Sequence, residues 1–299
     1  MKEQNSDNVT MAVMVIALAV LALSLGDALI KFTSGDFVIW QVFVLRSLLA
    51  LPVLFVILFV KAPQAFALPP AFSWTVIRSL MLVVMWVVYY LALPELEFSV
   101  VAASYYTIPI FLTLFSAILI GDRIRRLGWA AVLLGFLGVL VILRPDPEEF
   151  NFYAILPLFA AMLYALAMIL TRTKCREVNP IMLSIGLNLG FVFVGVVAAF
   201  AISNVPSEER EGFLLAPWVS MGFSEWLAMS LLAVAILIGS LGAAFAYQRA
   251  SPAILGTVEF AYVGFAVIWG IVFFAEVPDV LTLTGIAMIT IAGAMSLRQ

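Results

Sequence analysis

The chain divides into about ten apolar spans, at residues 11–33, 37–60, 71–93, 98–120, 127–143, 152–171, 180–203, 225–247, 251–274 and 281–297. Each has the roughly 17–25 residues that a helix needs to cross the hydrocarbon core of a bilayer. The runs are continuous rather than alternating. Helices are therefore the expected spanning form, with every backbone group bonded inside its own segment. The 299 residues are 65% hydrophobic and 11% charged, against roughly 25% charged in a soluble domain, so lipid must solvate much of the surface. We expect an all-α polytopic membrane protein. The first span is too long for a typical signal-peptide core, and Asp27 and Lys31 stand where small residues should precede cleavage, so it reads as a retained helix.

Charge placement orients the spans. One set of connections holds Lys2, Lys61, Arg123, Arg125, Arg126, Arg172, Lys174, Arg176, Arg249 and Arg298, and the other only Lys31, Arg144 and Arg210. That bias places both termini in the cytoplasm and, for a bacterial chain, the protein in the inner membrane. A net charge of −3 with no basic tail argues against nucleic-acid binding. Cys175 is the single cysteine and there is no histidine, so neither disulfides nor a metal or other cofactor are expected.

The two halves look related. Asp122 follows Gly121 at the end of span four and Glu276 follows Ala275 at the end of span nine, an offset of 154 that also sets Tyr106 on Phe260 and Ala131 on Gly285. Upstream, an offset of 141 sets Gly26 on Ala167 and Lys31 on Arg172; the longer loop at 204–224 absorbs the difference. Five spans per half is an odd number, so equivalent helices run in opposite directions, an arrangement associated with alternating access. The expected organisation is a cytoplasmic tail at 1–10, a first five-helix repeat at 11–143, an outer linker at 144–151 and a second repeat at 152–297.

In both halves a long apolar span ends in an acidic residue, then a short loop and a helix rich in small residues: Tyr105–Asp122 with Leu127–Leu143, and Glu259–Glu276 with Leu281–Leu297. With Lys31 closing the first span and Arg46 inside the second, the chain resembles the EamA-type members of the drug/metabolite transporter superfamily over essentially its whole length. The resemblance implies ten helices in two inverted five-helix repeats around a central cavity, with export as a frequent activity. Within the superfamily the chain looks most like the bacterial aromatic amino-acid exporters.

Four ionisable residues fall inside spans: Asp27, Arg46, Arg78 and Glu259. A charge at mid-bilayer costs about 3 kcal/mol on insertion scales, so each should face the protein interior or water. Similar depths suggest two ion pairs, Asp27 with Arg46 and Arg78 with Glu259, which serve either packing or transport. Lys31, four residues after Asp27, competes for that carboxylate or snorkels to the interface. Glu259, if unpaired, is a candidate for proton coupling. Trp86, Tyr89 and Tyr90 share a face of span three. Ser104, Tyr105 and Tyr106 precede Pro109, which should bend span four. Thr257, Phe260 and Tyr262 lie at comparable positions of span nine, and Ser24 and Tyr164 are weaker candidates. Together these residues are expected to line an amphipathic cavity. Gly186 and Gly190 form a GxxxG that favours close helix contact, within the chain or between protomers.

The leading function is secondary transport: export of small amphipathic metabolites, with aromatic amino acids as the favoured cargo. A channel or facilitator without carrier-type coupling is the alternative. An intramembrane enzyme is disfavoured, because HExxH, GxSxG and GxxxxGK[ST] are all missing. The expected partners are a small-molecule substrate and membrane lipid, with the chain acting as a monomer.

Overall fold

The computed structural model describes residues 2–66, 71–121, 125–143, 152–250, 252–259 and 261–296. Among these the chain is all helical. The helices are α1 (Lys2–Phe32), α2 (Ile39–Lys61), α3 (Phe72–Ala92), α4 (Phe98–Tyr105), α5 (Ile108–Phe115), α6 (Arg126–Leu143), α7 (Leu156–Thr173), α8 (Pro180–Ile202), the short α9 (Gly212–Leu215), α10 (Phe223–Arg249), α11 (Pro252–Glu259), α12 (Ala261–Phe274) and α13 (Val280–Ser296). Six helices are long and apolar enough to cross a membrane, and four shorter apolar segments, Ile108–Ile120, Arg126–Ile142, Ala261–Phe274 and Val280–Ala292, accompany them. The protein is a polytopic membrane protein. Large apolar side chains such as Phe59, Phe193 and Phe200 stand exposed on its outside, where lipid replaces water.

Some boundaries differ from the sequence reading. α1 already begins at Lys2, so most of the expected tail continues the first helix. Span four is broken between Tyr105 and Ile108, because Pro109 cannot donate to the carbonyl four residues back; it sits instead in the first turn of α5, where no such bond is needed. A π-helical turn, Ser116–Ile120, then ends in left-handed Gly121 (φ 86°). At the end of α12 the residue in that conformation is Ala275 (φ 54°), which costs an L-residue about 1–2 kcal/mol. Glu276, the next residue, makes the contacts that hold this turn. The linker expected at 144–151 lies outside the described residues.

Helix pairing is symmetric under exchange of the halves. α1 packs on α10 and α3 on α7; α1 on α12 and α7 on α5; α2 on α10 and α8 on α3. The pairs α2–α8 and α6–α13 map onto themselves. Small residues bring these helices together. A Cβ on Gly186 would meet Ser79 at 3.1 Å and one on Gly190 would meet Val83 at 3.1 Å. The GxxxG therefore seats α8 on α3 within the chain.

Candidate functional site

Seven helices converge on a small central cavity of about 20 Å³, room for little more than one water. It is lined by Asp27 from α1, Trp86 from α3, Tyr105, Tyr106 and Ile108 around the α4–α5 break, Tyr164 from α7, Glu259 from α11 and Tyr262 from α12. The broken helix matters here: had span four continued straight through Pro109, Tyr105 and Tyr106 would project at different angles.

Asp27 is the hub of one side. Tyr262 donates to its Oδ2, and Tyr90 donates to its Oδ1 at 3.1 Å. Arg46 Nη1 donates to the Tyr90 hydroxyl at 3.3 Å. The expected Asp27–Arg46 ion pair is thus not direct; one phenol separates the charges. The guanidinium lies over the rings of Phe191 (4.6 Å), Phe43 (5.0 Å) and Tyr90 (5.8 Å), a cation–π seat that offsets part of its desolvation. Its Nε and Nη2 are buried without a hydrogen-bond partner.

The expected Arg78–Glu259 pair does not form either. Arg78 Nε donates to Thr171 Oγ1 at 2.6 Å, while Glu259 Oε1 accepts from Tyr164 at 2.7 Å. Equal depth along the membrane normal does not put two side chains on facing sides of their helices, and packing of α3 on α7 turns Arg78 toward Thr171.

The aromatics form one cage. Tyr106 stacks on Tyr262 at 4.3 Å, Tyr89 meets Tyr105 at 4.6 Å, and Trp86 meets Tyr90 at 5.0 Å. The Tyr89 and Tyr262 hydroxyls are 2.9 Å apart, and Tyr105 donates to Met85 Sδ. Ser24 accepts from Trp269 Nε1 at 3.1 Å, supporting the cage from behind. Ser104 is a correction: its hydroxyl bonds Val100 O of its own helix at 2.9 Å and does not line the cavity. Thr257 lies on α11; its side chain and Phe260 are outside the described residues. Tyr247, Trp269, Phe43 and Phe191 were missed. Tyr247 closes the span at 225–247, a place where tyrosine reads as an interfacial residue, so its burial carried no signal.

Lys31 is a second correction. It bonds neither Asp27 nor the interface alone, but Glu276 Oε1 at 2.9 Å and Leu96 O at 2.6 Å, with its Nζ 5.0 Å from the Phe274 ring centre. The same carboxylate accepts from Phe98 N at 3.0 and 3.1 Å, capping the N-terminus of α4. One carboxylate thus ties together the ends of α1, α4 and α12. Glu276→Gln should loosen the tie. Hydrogen bonds to charged groups contribute about 1.5–3 kcal/mol, so the Phe98 amide should exchange at least about tenfold faster in hydrogen-exchange measurements. Unchanged protection would mean that the cap carries no energy.

Residues 10–144 match the EamA-like transporter family. Over 281 residues, 94% of this chain and 93% of the relative, it is 25% identical to the pseudopaline exporter CntI of Pseudomonas aeruginosa. It is also 25% identical over 130 residues, 43% of this chain and 44% of the relative, to a riboflavin transporter of Vibrio cholerae. A solved crystal structure shares the fold at TM-score 0.69 and 18% identity, covering 97% of this chain and 96% of its own.

Proposed function

We propose that the protein exports small zwitterionic, amphipathic solutes, aromatic amino acids foremost, across the inner membrane by alternating access, as a monomer with both termini in the cytoplasm. The observation that carries this reading is the Asp27–Tyr90–Arg46 relay beside the tyrosine cage. A buried carboxylate and a buried guanidinium stand apart by two hydrogen bonds to one hydroxyl, 3.1 and 3.3 Å long. An α-amino acid presents opposite charges on two substituents of one carbon. With Tyr90 swung aside, its ammonium meets Asp27 and its carboxylate meets the free Nε and Nη2 of Arg46, in the fork geometry that favours arginine. The side chain then lies among Trp86, Tyr106 and Tyr262, where flat rings stack.

The cavity in this state is too small for such a solute, so binding requires the helices to part. The symmetric pairing of the two halves supports that motion, since each half can take up the packing of the other. The tie at Glu276 is the element that must release for one end to open.

Counterflow in proteoliposomes tests the reading. Vesicles loaded with unlabelled phenylalanine should transiently accumulate labelled phenylalanine above equilibrium, which a channel cannot do. Equilibration without overshoot would establish a channel, and no flux from a folded, monodisperse protein would remove aromatic amino acids as cargo.

A further inference from the structure

Glu259 takes no part in holding the solute as assigned above, yet it lines the same cavity and is 2% exposed. Its Oε1 accepts one hydrogen bond, from Tyr164, and its Oε2 has none. Beside it the buried Tyr247 hydroxyl lies close to the carboxylate without a formed hydrogen bond. The groups that face it are phenols: Tyr164 from α7, Tyr247 from α10, Tyr105 and Tyr106 from the α4–α5 break and Tyr262 from α12, with Asp27 of α1 across the cavity. Arg78 of α3 reaches Tyr164 but is bonded to Thr171 and makes no ion pair with Glu259.

An ionised carboxylate with a single donor and no cation is costly to bury in a membrane protein. A protonated one carries no charge, and its Oε2 becomes a hydroxyl donor among phenolic oxygens able to accept. We propose that Glu259 is a proton-binding site whose loading lets the empty cavity close, so that solute export is exchanged for inward proton movement. The coupling rests on the carrier reading above. In the outward-open state the carboxylate takes up one proton from outside. The neutral side chain then permits closure without solute. Once the cavity opens to the cytoplasm, the proton leaves and the regenerated carboxylate is hydrated. Reclosure then awaits a solute whose ammonium, held at Asp27 in the same cavity, also compensates the Glu259 carboxylate.

Proton occupancy is read without any substrate. Infrared difference spectra of the full chain in lipid, taken across neutral pH, should contain a protonated-carboxyl C=O band. The band should vanish in Glu259→Gln, move in frequency in Glu259→Asp and persist in Asp27→Asn. A band unaltered in both Glu259 variants overturns the site. Should Glu259→Gln fail to fold, Glu259→Asp, which keeps the carboxyl, carries the test. Coupling is read with wild-type protein and a pH-sensitive dye trapped in the lumen under clamped potential. Phenylalanine running out of the vesicles should acidify the lumen, and efflux with no pH change overturns the exchange. A Glu259 band with no phenylalanine flux would retire the substrate assignment and leave the proton site standing. Flux with no band would do the reverse.

Discussion

Asp27→Asn is expected to reduce phenylalanine flux about thirtyfold or more. Removing one partner of a buried charge pair costs about 2–5 kcal/mol, and each 1.4 kcal/mol is about a factor of ten in affinity. An asparagine keeps the shape and one acceptor oxygen, so Tyr262 retains a partner while the negative charge that meets the ammonium is gone. A structural role predicts a different pattern. If Asp27 only balances Arg46, which it reaches through Tyr90, Asp27→Asn will lower the thermal midpoint and Asp27→Asn/Arg46→Met will restore it. A binding role leaves the midpoint nearly unchanged, raises the substrate dissociation constant in direct binding assays, and is not rescued by the second substitution. Wild-type affinity in Asp27→Asn would remove this carboxylate from the solute site.

The sequence is informative about the fold because lipid as solvent imposes one rule on every span. Ten apolar runs therefore map onto helices, and Pro109 marks the break in span four. Side-chain partners follow another rule. Residue counting gives depth along the membrane normal, which is why Arg46 and Asp27 were placed at one level, and they do share one network. It gives no azimuth. Arg78 was assigned to Glu259 on depth alone, but the rotation of α3, fixed by its packing on α7 and α8, turns it to Thr171. Helical spacing makes Lys31 a competitor for Asp27, with snorkelling to the interface as its alternative. That rule weighs neighbours on one helix and ignores what competes for them: two tyrosines from other helices already satisfy Asp27, and Glu276 lies closer to the end of the lysine's reach. Glu276 itself was read only as the end of a span. Its neighbour Ala275 gives no sequence hint of a left-handed turn, which glycine in the corresponding position of the first half does.

Gly285→Leu is expected to cost the protein its fold, or most of its thermal margin. α6 and α13 meet through two glycines with almost nothing between their backbones. A Cβ built on Gly285 would lie 2.6 Å from the Gly138 carbonyl oxygen and 2.4 Å from Ile142 Cγ1; one on Gly138 would lie 2.9 Å from the Gly285 carbonyl oxygen. Ile142 can change rotamer, but a carbonyl in a helix cannot, so the helices must separate. Overpacking in a tight core costs about 1–3 kcal/mol and sometimes more. Here no compensating force draws the helices back, because lipid tails solvate the parted surfaces as well as the partner helix did. Gly264→Ala is the matched control. That glycine lies in α12 with nothing within 4 Å of an added Cβ, and alanine is the better helix former by about 1 kcal/mol. Melting in detergent, followed by monodispersity on size exclusion, should therefore show Gly264→Ala at or above the wild type and Gly285→Leu far below it. Equal melting of the two variants would mean that α6 and α13 do not meet through these glycines. The symmetric packing that underlies the transport proposal would then lose one of the two pairs that exchange of the halves leaves in place.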